Sequence, residues 1–176
     1  IRRIQKLEEY ALEYVEQPSA KGNLMSMREI NESVEVKIAA DESLSSLSDL
    51  EDIIKTNAAD ILVVKPNRIG GFSKTLEVIS EAIRSKKFVV VTTSLDSSLG
   101  IAATATIASS ILTHTFAHGL STGLNLKKDI TQDACIPRDG FVSIAKAAGI
   151  GVTIDTESLK NLSDAKIDKS LGNWQY

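Results

Sequence analysis

Three short polar words recur along the chain at nearly equal spacing, and each one follows an apolar, strand-like run. They are Glu16-Gln17-Pro18, Ala40-Asp41-Glu42-Ser43 and Lys65-Pro66-Asn67. Their charged residues are separated by 25 positions (41 − 16) and then by 24 positions (65 − 41). This period fits one strand plus one helix, and in a β/α barrel all strand ends open onto one face. The spacing therefore predicts that two carboxylates and a lysine converge on one site.

The composition predicts one domain with neither a nucleic-acid nor a membrane partner. A chain of 176 residues with 43% hydrophobic content can bury a core. Its 20 basic and 23 acidic residues give a net charge of −3. The basic residues form no patch of the kind that binds nucleic acid. No apolar run reaches the roughly 18 residues of a membrane-spanning helix. Cys135 is the single cysteine, which excludes a disulfide framework, and we interpret it as a structural thiol.

Strands and helices alternate along the chain, and this order favours a parallel sheet. Strands are predicted over 12–16, 34–40, 61–64 and 88–93, with a last short strand over 116–120. Helices are predicted near the start, over 25–32, after Ser48, and over 73–84 and 100–112. Ser48 and Glu51 have the spacing of a capping box. The pattern weakens after Asp139, so we divide the chain into a domain over 1–155 and a polar tail over 156–176.

Four short segments, in this order along the chain, resemble those of the enolase superfamily. They are the three segments above, the third extended by Gly70-Gly71, and the later Ser94-Leu95-Asp96-Ser97-Ser98-Leu99-Gly100. The segment is similar to the second half of the barrel in the muconate-lactonizing subgroup. Its serine-rich turn and the later Ala117-His118-Gly119-Leu120 most resemble the o-succinylbenzoate synthases, which serve menaquinone and phylloquinone biosynthesis. The resemblance implies an α/β fold, the C-terminal portion of a (β/α)7β TIM-type barrel with parallel strands. The N-terminal capping domain and the first strands would precede Ile1.

The resemblance also implies a mechanism, in which a proton α to a carboxylate is removed and a divalent cation holds the resulting enediolate. Enolase-superfamily sites combine a Lys or His base with magnesium, and magnesium prefers oxygen ligands. By position, Glu16 and Asp41 match two metal ligands for Mg²⁺ or Mn²⁺, and Glu42 matches a supporting position behind them. Lys65 matches the catalytic lysine that stabilises the enediolate across the ring from the base.

The same resemblance implies a pocket for a small carboxylate substrate. Asp96 stands where many relatives carry Glu, and Asn67 either contacts substrate or caps its loop, with the loop cap favoured. His114 and His118 share a helical spacing but lack a third ligand, so structural roles are favoured for both. The candidate substrate-binding residues are Asn67, Ser94, Asp96, Ser97, Ser98, His118 and Gly119.

Several alternatives stay open at the level of the sequence. The implied third metal ligand and the Lys-x-Lys pair that holds the base would precede Ile1. We therefore expect the chain to be incompetent alone and to be completed by a barrel half from the same longer polypeptide or from another chain. A dipeptide or N-acylamino acid epimerase with Lys65 as one of two bases is an alternative, and a non-catalytic half-barrel is another. The expected compartment is the cytoplasm for a bacterial enzyme and the plastid for a plant fusion.

Overall fold

A computed structural model describes residues 1–112, 116–132 and 135–162, and within them one parallel sheet forms the centre of the fold. Its four strands lie side by side in chain order, as expected for successive strand–helix units. The strands are β1 Val15–Glu16, β2 Ile38–Ala40, β3 Ile61–Val64 and β4 Phe88–Val91. The described helices are α1 Arg2–Leu7, α2 Leu24–Ser33, α3 Leu47–Thr56, α4 Pro66–Ile69, α5 Phe72–Arg84, α6 Ser98–Ser109 and α7 Thr156–Leu162, with 3₁₀ turns at Glu8–Tyr10 and Thr122–Asn125. The predicted α/β fold with parallel strands is confirmed.

The strands bury side chains on both faces, because successive residues of a strand point to opposite sides. One face packs against the helices through a large apolar cluster that includes Leu62, Val64 and Val91. The other face is the interior of the partial barrel and carries Ala39, Ile61, Val63 and Val90. This two-sided burial explains why β3 is apolar throughout.

Three aromatic rings cover the interior face. Phe116 packs edge-to-face against Tyr14, at 5.6 Å between ring centroids, and against Phe88, at 5.5 Å. Tyr14 precedes β1 at one edge of the sheet, whereas Phe116 lies near the opposite edge, where Thr92 pairs with Gly119. The two edges therefore meet across the interior, and such aromatic pairs add to the energy of area burial.

The first two strands are shorter than predicted, for local reasons. Ala11 adopts a left-handed conformation (φ 50°) and closes a 3₁₀ turn, so the strand begins only at Val15. Before β2, the Glu8 carboxylate accepts hydrogen bonds from the backbone N–H groups of Glu35 and Val36, at 2.7 and 3.1 Å. The Glu8 side chain, and not a neighbouring strand, therefore accepts the hydrogen bonds of these two backbone N–H groups. The predicted last strand over 116–120 contributes the single Thr92–Gly119 bridge.

The cap of α3 differs from the predicted capping box. Ser46, and not Ser48, is the N-cap, and its hydroxyl accepts from the backbone N–H of Asp49 at 3.1 Å. Asp49 in turn accepts from the backbone N–H of Ser45 at 2.9 Å. The predicted bond from the third helical N–H to the N-cap hydroxyl is present two residues earlier, because Leu47 begins the helix, whereas the carboxylate returns to the residue before the N-cap.

The predicted polar tail begins where α7 begins, and residues 163–176 lie outside the described part of the chain, as does His114. None of the helices in the described ranges is long and apolar enough to cross a membrane.

Candidate functional site

The three charged residues of the repeated words meet at the carboxyl ends of neighbouring strands. Asp41 follows β2 directly and Lys65 follows β3, and strand alternation directs both side chains to the interior side. Lys65 Nζ donates to Asp41 Oδ2 in an ion pair that is nearly closed to solvent, with 4% of the Asp41 side chain and 14% of the Lys65 side chain exposed. Glu16 is the last residue of β1, and its carboxyl group lies near enough to Asp41 and Lys65 for both to affect its pKa. The structure thus brings the three predicted residues together.

The electrostatics of this site raise the pKa of the Glu16 carboxyl group. Desolvation raises the pKa of Glu16 most, and a hydrogen bond and charge repulsion from Asp41 raise it further. The attraction of Lys65 lowers the pKa of Glu16 by less, and the exposed Glu42 adds a small repulsion. The net direction is a pKa above the ordinary value. Metal ions bind the ionised carboxylate, so a cation at this site would oppose the rise in the pKa of Glu16.

The carboxylate pair fits part of a magnesium site. Glu16 and Asp41 supply oxygen donors at one opening, and oxygen is the ligand atom that Mg²⁺ and Mn²⁺ prefer in proteins. In the described ranges no group of three or more His, Cys, Asp or Glu side chains could hold a metal ion. Within those ranges the Glu16 and Asp41 carboxyl groups thus offer oxygen donors for part of such a site, not a complete one.

Two further residues contact Asp41, and the sequence alone did not assign them a role. Arg68 Nη1 donates to Asp41 Oδ1 at 3.3 Å, from the short helix α4. Gln17 Oε1 accepts from the backbone N–H of Asp41 at 3.0 Å. A signal for Arg68 existed, because a residue three positions after Lys65 on a helical turn lies on the same side. For Gln17 the only signal was its place beside Glu16.

The loops after β3 and β4 are joined by a polar contact between two predicted substrate-binding residues. Asn67 Nδ2 donates to Asp96 Oδ1 at 2.9 Å, and Asp96 Oδ2 accepts from the backbone N–H of Ser94 at 3.1 Å. Asp96 also packs against Gly100, where an added Cβ would lie 2.8 Å from the Asp96 Cβ. Asn67 and Asp96 therefore hold two loops together, in keeping with the loop role favoured for Asn67.

The serines of the β4–α6 turn divide into two kinds. Ser98 is buried, donates to Asp129 Oδ2 at 2.6 Å and accepts from the backbone N–H of Cys135 at 2.9 Å. Its hydroxyl group is thus committed to protein partners. Ser94 is exposed and Ser97 is half-buried at the N-cap of α6, and no protein hydrogen bond of either hydroxyl group occurs in the described ranges. These two hydroxyl groups are available to a ligand.

His118 and Gly119 are engaged in the edge of the sheet. His118 Nδ1 accepts from the backbone N–H of Val91 at 3.1 Å, and His118 lines a cavity of about 670 Å³ beside α6. Gly119 donates to the Val91 carbonyl at 3.0 Å and accepts from the backbone N–H of Thr93 at 2.9 Å. An added Cβ on Gly119 would lie 2.8 Å from Thr92 Cγ2, so only glycine permits this approach. The structure does not bring either residue to the carboxylate pair.

Comparison with known proteins shows the family to which this chain belongs. The family model described as enolase C-terminal domain-like matches residues 1–158. The chain belongs to this enolase-type family. Its predicted membership of the enolase superfamily is thereby confirmed.

Relatives of the enolase-type domain point to the same subgroup. An o-succinylbenzoate synthase of Mycobacterium tuberculosis (strain H37Rv) is 39% identical over 135 residues, which are 77% of this chain and 40% of the relative. That of Thermobifida fusca is 31% identical over 175 residues, 99% of this chain and 50% of the relative. The solved muconate lactonizing enzyme from Pseudomonas putida superimposes with a TM-score of 0.86 at 26% identity, covering 91% of this chain and 45% of that one. The chain thus spans half or less of the length of these proteins, and both curated relatives are bacterial, which gives no support to the plastid alternative.

Proposed function

We propose that the chain supplies the C-terminal half of an active site that removes a proton α to a carboxylate, as part of an o-succinylbenzoate synthase-type dehydration. The observation that carries this proposal is the meeting of Glu16, Asp41 and Lys65 at one opening. The identity to o-succinylbenzoate synthases supports the reaction type. The product would enter menaquinone or phylloquinone biosynthesis.

Glu16 and Asp41 would hold Mg²⁺, or Mn²⁺ in its place, together with a ligand outside this chain. When bound, the ion supplies Lewis-acid stabilisation of the negative charge that develops on the substrate carboxylate. Glu42 is exposed beside Asp41, where its charge favours the approach of a cation.

Lys65 would act as a fixed cationic hydrogen-bond donor toward the enediolate. Its strand-end position and its pairing with Asp41 hold the ammonium group in place before substrate arrives, and preorganised donors of this kind lower the barrier most effectively. Ser94 and Ser97 have hydroxyl groups available to the succinyl group. Asn67, Asp96 and Ser98 would act by shaping the loops that carry those hydroxyl groups.

The principal base, the third metal ligand and the remaining strands would come from the rest of a longer polypeptide or from a second chain. β1 has a neighbour on one side only in the described sheet. A strand edge of this kind is a place where further strands add. We expect the chain alone to show no turnover.

The test is a dehydration assay of the complete polypeptide that contains this chain, with a succinyl-hydroxycyclohexadiene carboxylate as substrate and loss of the diene absorbance as signal. Lys65→Met should lower kcat by about 100-fold or more, the typical loss for a transition-state donor. Lys55→Met, at an exposed lysine of α3, is the matched control and should retain activity. Chelation of divalent cations should abolish turnover in all variants.

A second assay separates the epimerase alternative. N-acylamino acids incubated with the same polypeptide in D₂O would exchange their α-proton if Lys65 served as one of two bases. Such exchange without dehydration would replace the present proposal with the epimerase. Neither exchange nor dehydration, in a folded complete polypeptide, would favour the non-catalytic half-barrel.

A further inference from the structure

We infer that Gln17 is a positioning residue, which holds Asp41 in the place where it meets Lys65 and the cation. The metal part of this inference rests on the proposed function. Gln17 Oε1 accepts from the backbone N–H groups of Asp41 and Ser43, at 3.0 and 3.2 Å. Gln17 Nε2 donates to Ser43 Oγ at 2.9 Å and to the Ser19 carbonyl at 3.2 Å. All four hydrogen-bonding positions of the side-chain amide are therefore used.

The backbone of Gln17 is bent to make these contacts. Its φ is +42°, in the left-handed region that residues other than glycine seldom adopt. Its own N–H nevertheless continues the sheet and donates to the Ala39 carbonyl at 2.8 Å. The chain thus turns sharply at the end of β1, and the side chain crosses to the loop after β2. A strained conformation persists where surrounding contacts determine it, and such positions cluster at functional sites.

A neutral amide is the side chain that these partners require. A glutamate could accept from the Asp41 and Ser43 amides, but it could not donate to the Ser19 carbonyl. It would also add a negative charge beside Glu16 and Asp41. A methionine would fill the same length without any hydrogen bond.

Asp41 is consequently fixed from two sides. Lys65 and Arg68 hold its carboxylate from the loop after β3, whereas Gln17 holds its backbone from the loop after β1. In the described contacts Gln17 and Lys65 do not touch each other, and Asp41 is a partner of both. Any energetic coupling between Gln17 and Lys65 therefore reports on the position of Asp41.

The decisive experiment is a double-mutant cycle measured by urea unfolding of the chain. The lowering of the urea midpoint by Lys65→Met should shrink by at least about half in a Gln17→Met background, because sites that share a partner are not additive. Gln5→Met is the matched control, since Gln5 is exposed and donates to the Ser33 carbonyl at 3.0 Å, away from the site. In that background the effect of Lys65→Met should be unchanged. Equal effects of Lys65→Met in both backgrounds would overturn the inference. If Gln17→Met does not unfold cooperatively, Gln17→Asn, one methylene too short to reach, replaces it with the same expected outcome.

A second measurement follows Mn²⁺ binding by the electron paramagnetic resonance signal of the free ion. Gln17→Met should weaken Mn²⁺ binding about tenfold, as loss of a group that supports a metal ligand typically does. Gln5→Met, which removes a hydrogen bond away from the site, should leave Mn²⁺ affinity unchanged. Equal affinity of Gln17→Met and the unsubstituted chain would overturn the metal part. Coupling to Lys65 without any Mn²⁺ binding would refute the proposed metal site and leave the placement of Asp41 by Gln17 standing.

Discussion

Lys65 donates to a carboxylate oxygen of Asp41 from the neighbouring strand end, and Arg68 contacts the other oxygen at 3.3 Å. Both oxygens of Asp41 thus have a cationic partner from the loop after β3. A divalent cation bound by Asp41 and Glu16 must share Asp41 with these side chains or displace them. In the proposed site, Lys65 would therefore be both the catalytic donor and a competitor with the cation for Asp41.

This competition leads to the first prediction. Lys65→Met should tighten Mn²⁺ binding to the chain about fivefold, because removing a like charge a few ångströms away is worth about 1 kcal/mol even at the dielectric constant of water. The same change should lower the free energy of unfolding by about 1–3 kcal/mol, the cost of losing a hydrogen bond to a buried charge. Lys55→Met should change neither quantity. Weaker Mn²⁺ binding by Lys65→Met would contradict the competition.

The sequence was sufficient for the order of the strands and for the meeting of the charged residues. Both depend on periodicity: an apolar run followed by a polar residue marks the carboxyl end of each strand. β3 was predicted with its observed bounds, since its four residues are buried on both faces. Strand alternation then placed Asp41 and Lys65 on the same side.

The sequence was not sufficient for contacts that depend on side-chain direction. Gln17 and Arg68 reach Asp41 only because of a left-handed backbone at Gln17 and a single helical turn after Lys65. Ser98 resembled a substrate-binding serine, yet Asp129, 31 residues later, binds its hydroxyl group. Local propensity carries no information about a partner so distant in the chain. The cap of α3 at Ser46 could have been found, because Ser46 and Asp49 have the same spacing as Ser48 and Glu51.

The packing of Gly100 against Asp96 gives a second prediction. In a helix, Gly→Ala ordinarily stabilises by up to about 1 kcal/mol. Here the new Cβ would lie 2.8 Å from the Asp96 Cβ, an atom close to the backbone that cannot simply move aside. Gly100→Ala should therefore destabilise the chain by about 1–3 kcal/mol, as overpacking does, and hydrogen exchange at the Ser94 amide should accelerate. A higher unfolding temperature for Gly100→Ala would refute this reading.

Two adjacent threonines after β4 provide a matched pair for a third prediction. Thr92 Oγ1 is buried and has no hydrogen-bond partner in the described ranges. Thr93 Oγ1 donates to the Gly119 carbonyl at 3.1 Å and lies 2.7 Å from Thr122 Oγ1. Thr92→Val should stabilise by about 1 kcal/mol and Thr93→Val should destabilise by about 1–2 kcal/mol, because an unmade buried hydrogen bond is costly and a made one is favourable. Urea unfolding of both variants measures the two changes in stability. Changes of the same sign would contradict the prediction.

The fourth prediction concerns acid stability through Asp129, which caps α6 from a distant loop. Desolvation raises the pKa of Asp129, but hydrogen bonds from Ser98, Ile130 and Thr131 together outweigh it and leave the pKa below the ordinary value. A carboxyl group with a lowered folded-state pKa stabilises the fold above its unfolded pKa of about 3.9 and loses this contribution as the pH falls through the folded value.

Asp129→Asn should therefore lower the free energy of unfolding near neutral pH by about 1–2 kcal/mol, because the charge-assisted bonds from Ser98, at 2.9 Å from its N–H and 2.6 Å from its hydroxyl group, are weakened. The difference in the free energy of unfolding between the unsubstituted chain and Asp129→Asn should narrow as the pH falls from 5 toward 2.5, because the Asp129 carboxylate of the folded chain becomes protonated. Lys128→Gln, at the exposed neighbouring residue, is the control and should show no such narrowing. Thermal unfolding across this pH series tests the prediction. A stability difference that stays constant with pH would show that Asp129 does not hold α6 through its charge.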